Sequence, residues 1–454
     1  MNVPARVEIW SSSFGFYLSI AGAAIGLGTL WRFPFLVGQH GGGVFVLVFI
    51  LACLLIAIPL LISEFMLGRR GGPNVAAAAG RVAMTSGRSP KWAAIGVLGT
   101  LAIFLIMTYY SVIGGWVLSY VEAYAFGGAA TLNQAELTAR FSALLANPWR
   151  LTFWHAAFMA ATVGISAAGI QRGIEIGNKI MMPGLFGILI ALAIYALYQG
   201  DAERALAFLT QVDLSRLNGE LMLAAVGQAF FATGVGMAIM IAYGSHVAAD
   251  TSLPRSAAVV ALSIILASVL SSILIFPLAF ASGVDPGQGP QLAFIVMPSI
   301  FIGIPGGALV GTLFFVLLAF AALTSSIAGL EPAGASLMER FGMRRVPAIA
   351  LVAATAWILG LATVFSFNHW SDLHPLAAIA RFRSATIFEL TDFLASNVLL
   401  PIGALLTSLL VGWRLDRNAV DVDFGGQNAT RTAMVVLLKY VCPLAIIAVL
   451  VSAV

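Results

Sequence analysis

The chain has 454 residues, of which 60% are hydrophobic and only 9% are charged. Because a soluble domain carries about a quarter charged residues, this composition excludes a water-soluble chain and predicts an integral membrane protein. The net charge of +4 is small and dispersed, which excludes the basic surface typical of nucleic-acid binding.

Long apolar runs predict an all-α integral membrane protein with about eleven transmembrane helices. A run of about 20 apolar residues crosses the hydrocarbon core as a helix, and continuous runs exclude a barrel of alternating strands. Proline and glycine in the apolar stretch 284–305 predict a re-entrant or lid-like loop. The predicted spans, numbered 1 to 11 in chain order, are 14–38, 43–68, 92–126, 151–168, 175–198, 221–247, 255–283, 307–339, 346–366, 386–413 and 432–453.

The distribution of lysine and arginine predicts the orientation of the chain. With a cytoplasmic N-terminus, fifteen of these residues fall in inside segments and six in outside loops. An odd number of spans then puts the C-terminus outside.

Spans 1 and 6 each contain closely spaced glycines, at Gly22, Gly26 and Gly28 and at Gly234 and Gly236. Glycine weakens a helix and lets backbone approach a ligand closely. Breaks in two spans that are five apart predict an inverted repeat with a binding site at its interface. A broken helix exposes carbonyls that can bind a cation and N–H groups that can hold a carboxylate. Close helix packing is the alternative explanation for these glycines.

Arg32 follows the break in span 1, and a cation at this depth is costly unless it is paired. The candidate partners are Asp392 and Glu389 of span 10. The alternative is an arginine that extends to the outer interface.

Other polar side chains in the spans each allow two interpretations. Glu64 of span 2 could pair with Arg69 and Arg70 or accept hydrogen bonds from the free N–H groups of a broken helix. Glu331 and His246, in spans 8 and 6, are either proton-sensitive groups or solvated vestibule residues. The hydroxyls of residues 324–326 suit Na⁺ as oxygen ligands, or they donate to carbonyls one turn earlier.

The segment 22–43 (GAAIGLGTLWRFPFLVGQHGGG), followed by Pro59 and Glu64, resembles the neurotransmitter:sodium symporter family, specifically its bacterial amino-acid transporters. The resemblance implies a leucine-transporter-type fold, with a five-plus-five inverted repeat and helices 1 and 6 broken at mid-membrane. One transporter domain would cover residues 1–454, with repeats at about 14–198 and 221–413 and an additional helix at about 432–453. Further similar segments are 178–183, 226–231 and 323–327.

The resemblance implies one intact and one degenerate sodium site. In the first site, the family has side-chain ligands where this chain has Thr29, Ala232 and Ile264, so we expect one Na⁺ per cycle. The family's chloride ligands fall on positions of which only Gln228 and Ser268 are polar, so we expect no chloride requirement and no organic cofactor. The second sodium site would use oxygens of Gly22, Ile25, Ala321, Thr324 and Ser325.

The resemblance also implies a substrate pocket and two gates. Because Gly234 and Gly329 are small, we expect room for a large apolar or aromatic amino acid. As a hypothesis, His246 and Glu331 form a charge pair that stabilises the inward-closed state. The substrate contacts would be Ala24, Gly28, Ile106, Tyr110, Phe231, Ala232, Gly234, Met237, Ser325 and Gly329. The outer gate would be Arg32, Asp392, Tyr110 and Phe231, and the inner gate Arg6, Glu339, His246 and Glu331.

The expected function is sodium-coupled import of an amino acid by alternating access in the cell inner (cytoplasmic) membrane. The sequence contains no HExxH motif and no Ser–His or Cys–His pairing typical of an enzyme. Two alternatives remain open: a symporter of a non-standard amine or amino-acid derivative, and a non-transporting sensor on the same fold. The expected partners are the substrate, Na⁺ and the lipid bilayer, and the chain is expected to be a monomer or a weak dimer.

Overall fold

The computed structural model describes residues 8–126, 128–284, 293–425 and 429–453, and within these ranges it consists of helices and turns without a β-strand. This confirms the all-α fold. Eight helices are long and apolar enough to cross a membrane, and each coincides with a predicted span. These are Gly43–Gly71, Pro90–Ala125, Ile170–Gln199, Leu253–Ala281, Gly307–Phe341, Arg345–Ser366, Ile387–Arg414 and Ala429–Ser452, which form spans 2, 3, 5, 7, 8, 9, 10 and 11.

The remaining predicted spans are helices that are broken or less apolar. Span 1 consists of Ser13–Ala24 and Gly28–Gln39, which meet at an angle of 60°. Span 6 consists of Gly219–Thr233 and Ile239–Gly244. Span 4 is Pro148–Ser166, whose Arg150 and His155 make it less apolar than the other spans. The structure is therefore consistent with eleven spans.

Shorter helices connect the spans. The predicted re-entrant stretch lies partly outside the described residues, at 285–292, and its described part contains the helix Val296–Ile302. Hydroxyls from span 3 anchor this part, since Tyr120 donates to the Phe294 carbonyl at 2.8 Å and Tyr124 to the Pro298 carbonyl at 3.2 Å. The other connecting helices include Val75–Thr85, Gln134–Ala146, Ala202–Thr210 and Arg417–Asp423.

Ion pairs join several segments at one end of the helical bundle, which we call the basic end. They connect the end of span 2 to the helix between spans 10 and 11, and the segment between spans 2 and 3 to span 8. This is the end for which the sequence predicts a cytoplasmic location. The ion pairs are Arg69–Asp423, Arg70–Asp423, Arg81–Glu339 and Arg345–Glu331.

Candidate functional site

The break in span 1 exposes polar backbone groups inside the bundle. The first helix ends at Ala24 because Ile25 adopts extended backbone, with φ −81° and ψ 94°. Carbonyls in the last turn of a helix lack donors from the same helix. Beyond the break, the Leu27 N–H donates to the Tyr110 hydroxyl of span 3 at 3.4 Å.

The break in span 6 requires backbone with positive φ, which is 66° at Gly234 and 88° at Gly236. A Cβ at Gly236 would also overlap the Leu400 carbonyl oxygen of span 10. The Gly236 N–H donates to Oε1 of the buried Glu64 at 2.7 Å. Glu64 therefore stabilises the broken helix, which is the second of the two interpretations of its sequence position.

The two breaks and spans 3 and 8 enclose a cavity of about 60 Å³. Nine of the ten predicted substrate residues line it, and its few polar side-chain groups include the hydroxyls of Tyr110 and Ser325. The residues lining the cavity are Ala23, Ala24, Gly26, Leu27, Gly28, Thr29, Ile103, Ile106, Met107, Tyr110, Phe231, Ala232, Gly234, Met237, Ile239 and Ser325.

Gly329 is the predicted substrate residue that does not line the cavity. An added Cβ at Gly329 would lie 2.7 Å from Met107 Sδ and 3.4 Å from Ile103 Cδ1. The inference that Gly329 provides free space is therefore wrong, because side chains of span 3 already fill it. No pattern in the sequence indicated Met107, which faces both this cavity and a second apolar cluster among spans 3, 4, 8 and 9.

The predicted ligands of the second sodium site lie between spans 1 and 8. The Ser325 hydroxyl donates to the Gly22 carbonyl at 3.4 Å, and the Thr324 hydroxyl donates to the Ala321 carbonyl at 3.1 Å. The contact of Ser325 with Gly22 joins the two spans, whereas the Thr324–Ala321 hydrogen bond lies within one turn of span 8. Carbonyl and hydroxyl oxygens are ligands that a hard cation prefers, so this donor set fits Na⁺.

The positions predicted for the first sodium site and for the chloride site combine hydrocarbon with unpaired oxygens. Ala232 and Ile264 are buried and offer no side-chain oxygen. Within the described residues, Thr29 Oγ1, Gln228 Oε1 and Ser268 Oγ are buried without a hydrogen-bond partner. Gln228 donates through Nε2 to the Gly28 carbonyl at 2.9 Å. Of the three positions predicted for the first sodium site, Thr29 has a side-chain oxygen, whereas Gln228 and Ser268 are positions predicted for chloride.

Two aromatic residues separate this cavity from a larger vestibule of about 440 Å³. Phe231 and Tyr110 line both spaces. Phe231 lies directly over Gly28, where an added Cβ would contact the ring. The two aromatic residues predicted for the outer gate therefore lie between the cavity and the vestibule.

The two charged residues of the predicted outer gate, Arg32 and Asp392, contact different partners. The Arg32 guanidinium lies 4.9 Å from the centroid of the Phe231 ring. Asp392 accepts a hydrogen bond from the Tyr109 hydroxyl at 2.7 Å. Both charged residues line the vestibule, yet among the described residues no ion pair joins them.

The predicted inner gate is divided among several partners. Arg6 lies outside the described residues, and Glu339 pairs instead with Arg81. Glu331 accepts two hydrogen bonds from Arg345, at 2.9 and 2.7 Å. The hypothesis that Glu331 pairs with His246 is wrong for this structure, because the arginine at the start of span 9 occupies the carboxylate.

Further contacts lie at the basic end, and apart from His246 the sequence patterns did not indicate the residues that make them. His246 Nδ1 lies 2.6 Å from the Glu8 carbonyl oxygen, while the Glu8 carboxylate accepts from the N–H groups of Ile170 and Gln171 at 3.0 Å. The Trp10 indole donates to the Tyr243 carbonyl at 3.2 Å. These hydrogen bonds hold the N-terminal segment against spans 5 and 6.

Known proteins are similar to this chain over almost its full length. The model of the Sodium:neurotransmitter symporter family matches residues 7–129 and 136–412. An uncharacterized sodium-dependent transporter of Bacillus subtilis (strain 168), YhdH, is 36% identical, with 96% of each chain covered. An uncharacterized sodium-dependent transporter of Haemophilus influenzae is 32% identical, with 91% of this chain and 90% of the relative covered. The crystal structure of MhsT in complex with L-phenylalanine has a TM-score of 0.89 at 37% identity, and covers 98% of this chain and 100% of MhsT.

Proposed function

Because the chain belongs to the sodium:neurotransmitter symporter family, we propose that this multi-pass, sodium-dependent transporter is a symporter that imports an apolar or aromatic amino acid by alternating access. The observation that carries the proposal is the cavity between the two helix breaks, which is lined by Ser325, whose hydroxyl also donates to the Gly22 carbonyl of span 1. The solved relative bound to L-phenylalanine supports the substrate class.

The chemistry of the cavity favours a zwitterion over a charged amine. None of the residues that line it, all of which the structure describes, is Asp, Glu, Lys, Arg or His. A substrate with a net charge would therefore be buried without a counter-charge, which is costly. The Tyr110 hydroxyl and the Gly28 N–H would hold the carboxylate. Carbonyls of Ala24, Phe231 and Ala232 would hold the ammonium group.

The side chain of the substrate would occupy the apolar part of the cavity. Ile103, Ile106, Met107 and Met237 line this part. The cavity of about 60 Å³ is small, so a large side chain requires these residues to move. Methionine adapts its shape readily because it is unbranched and has three rotatable bonds, and two of the four residues are methionine.

We assign the co-transported Na⁺ to the second site, where it would bind oxygens of Gly22, Ile25, Ala321, Thr324 and Ser325. Ser325 also lines the substrate cavity. A residue shared by two sites gives each ligand an effect on the other's affinity, and such coupling is reciprocal. The shared hydroxyl therefore offers a direct route by which Na⁺ drives substrate binding.

A single Na⁺ per cycle and the absence of a chloride requirement are parts of the same proposal. Hydrocarbon at Ala232 and Ile264 supports both, because a hard cation loses affinity as oxygen ligands are removed. We place the basic end in the cytoplasm of a cell whose inner membrane contains the transporter, with substrate entering through the vestibule at the opposite end. The chain would act as a monomer or a weak dimer.

Uptake into proteoliposomes tests this proposal. We expect accumulation of L-phenylalanine or a related amino acid that requires an inward Na⁺ gradient, is unchanged when gluconate replaces chloride, and has a Hill coefficient for Na⁺ near one. A Hill coefficient near two that falls in Thr29→Ala would contradict the single-ion proposal. Sodium-dependent binding without accumulation would instead identify a sensor.

A further inference from the structure

Thr29 lines the substrate cavity but has no role in the transport mechanism proposed above. It is the second residue of the helix Gly28–Gln39, which begins beyond the break in span 1. Its side chain is buried, and within the described residues its Oγ1 atom has no hydrogen-bond partner. A buried hydroxyl without a partner is costly, which points to a bound ligand as the partner.

The break in span 1 explains why the Thr29 hydroxyl is free. A buried threonine in a helix commonly donates to a carbonyl one turn earlier, as Thr233 donates to the Ala229 carbonyl at 2.7 Å. For Thr29 this carbonyl would be that of Ile25, whose extended backbone takes it out of the helical register. The same break that exposes backbone groups therefore also releases this hydroxyl.

Side chains of spans 6 and 7 hold the backbone at this position. Gln228 donates through Nε2 to the Gly28 carbonyl at 2.9 Å, and the Ser271 hydroxyl donates to the Thr29 carbonyl at 3.3 Å. Both donors are buried. A binding group is effective when surrounding hydrogen bonds fix its position, and these two bonds fix the backbone that carries Thr29.

A substrate carboxylate in this cavity has to be stabilised by hydrogen bonds. None of the residues that line the cavity, all of which the structure describes, has a positively charged side chain. An ionised group that is removed from water without a counter-charge needs strong hydrogen bonds from several donors. The cavity is lined by the hydroxyls of Thr29, Tyr110 and Ser325, and that of Ser325 already donates to the Gly22 carbonyl.

Ligation of Na⁺ is the alternative use of the Thr29 hydroxyl. Thr29 is one of the three positions predicted for the first sodium site, and the other two are Ala232 and Ile264, whose side chains contain no oxygen. A hard cation prefers several oxygen ligands. The loss of two side-chain oxygens therefore favours an anion that accepts a hydrogen bond from this hydroxyl.

We propose that the Thr29 hydroxyl donates a hydrogen bond to the carboxylate of the substrate, together with the Gly28 N–H and the Tyr110 hydroxyl. This inference rests on the proposed function, because it assigns a further residue to the same binding site. The positive end of the helix Gly28–Gln39 favours a carboxylate at this point. Thr29 would thus help to distinguish amino acids from amines that lack a carboxylate.

The test compares the binding of L-phenylalanine and L-phenylalaninol to the purified full-length protein at saturating Na⁺. The alcohol keeps the aromatic ring and the ammonium group but has a neutral hydroxymethyl group in place of the carboxylate. We expect Thr29→Val to weaken the binding of L-phenylalanine about tenfold, as the loss of a hydrogen bond to a charged group implies, and to change the binding of L-phenylalaninol much less. Thr29→Ser should bind L-phenylalanine nearly as well as the parent chain, because it keeps the hydroxyl.

Thr233→Val is the matched control, since Thr233 is a buried threonine of the other broken span and does not line the cavity. Its affinity for L-phenylalanine should equal that of the parent chain. The proposal is overturned if Thr29→Val and Thr233→Val weaken binding equally, or if Thr29→Val weakens the binding of both ligands equally. Because the Thr29 hydroxyl has no partner in the described chain, Thr29→Val should retain the melting temperature of the unliganded protein, which loss of a structural hydrogen bond would lower.

Titration of Na⁺ without substrate distinguishes the two uses of the hydroxyl. The apparent affinity for Na⁺, measured by thermal shift, should be the same in Thr29→Val and the parent chain, and a weaker affinity in the variant would assign the hydroxyl to sodium. A parent chain that bound neither L-phenylalanine nor another amino acid would contradict the proposed function. Binding by the parent chain that Thr29→Val leaves unchanged would contradict only the role of Thr29.

Discussion

Thr324 is a buried residue of span 8 whose hydroxyl donates to the Ala321 carbonyl one turn earlier. The same hydroxyl is a proposed Na⁺ ligand. Thr324→Val removes the oxygen while preserving the shape of the side chain, so we expect the apparent affinity for Na⁺ to fall by about tenfold or more. Sodium titrations of uptake and of thermal stability in detergent would measure the change.

Thr407→Val provides a matched control for this substitution. Thr407 is also buried, and its hydroxyl donates to the Gly403 carbonyl one turn earlier at 3.0 Å. It lies in span 10 and is not among the proposed ligands. Equal losses of Na⁺ affinity in Thr324→Val and Thr407→Val would show that the effect comes from helix structure and not from ligation.

Met107 controls how much space the substrate side chain receives. Because a Cβ at Gly329 would lie 2.7 Å from Met107 Sδ, Gly329→Ala should push the flexible Met107 side chain into the cavity. We expect the ratio of phenylalanine to alanine uptake to fall several-fold in Gly329→Ala and to recover in Met107→Ala/Gly329→Ala. Competition uptake assays measure this ratio, and an unchanged ratio in the single variant would exclude the role assigned to Met107.

At the level of elements, the break in span 6 depends on Gly236. Its φ of 88° is unfavourable for other residues, and an added Cβ would overlap the Leu400 carbonyl oxygen. We expect Gly236→Ala to destabilise the protein by about 2 kcal/mol or more and to lower its melting temperature. Gly227→Ala, in the helical part of the same span with open space around the added Cβ, should leave that temperature nearly unchanged. Similar melting temperatures would mean that the break tolerates an ordinary residue.

The start of span 5 depends on the N-terminal segment. The Glu8 carboxylate accepts from the N–H groups of Ile170 and Gln171, which the first turn of a helix cannot satisfy itself. Hydrogen bonds to a charged group contribute about 1.5–3 kcal/mol, so Glu8→Ala should accelerate hydrogen exchange at these two amides by about tenfold. Glu136→Ala, which removes a capping carboxylate from a connecting helix, should leave this exchange unchanged. Equal exchange rates in Glu8→Ala and the parent chain would show that span 5 is stable without this cap.

For the whole molecule, the positions of the apolar helices and of the two helix breaks could be predicted from the sequence. The apolar runs located the eight long apolar helices, and the glycines located both breaks, because hydrophobicity and backbone conformation are local properties. The residues surrounding the cavity followed from a family motif. Pairings between distant segments did not follow, as Arg345 and Met107 illustrate. Two arginines are adjacent at positions 344 and 345, and nothing in the local pattern indicates which one reaches a buried carboxylate.

At the scale of the whole bundle, the contacts of Arg345 with Glu331 and Ser166 join three spans. Glu331 is fully buried, and Arg345, which holds it, also donates to the Ser166 carbonyl at 2.9 Å, so this contact links spans 4, 8 and 9. Removing one member of a buried pair costs about 3–5 kcal/mol, whereas replacing both with apolar residues is often neutral. In a double-mutant cycle with methionine at both positions, we therefore expect Arg345→Met to lower the free energy of unfolding strongly. Adding Glu331→Met should restore most of this stability, which thermal unfolding would measure.

The parallel cycle of Glu331→Met with His246→Tyr should give changes in the free energy of unfolding that are additive within about 0.5 kcal/mol, as expected for residues that do not interact. If Glu331 and His246 instead showed strong coupling, and the effects of Glu331→Met and Arg345→Met were additive, the charge pair of Glu331 with His246 predicted from the sequence would be supported.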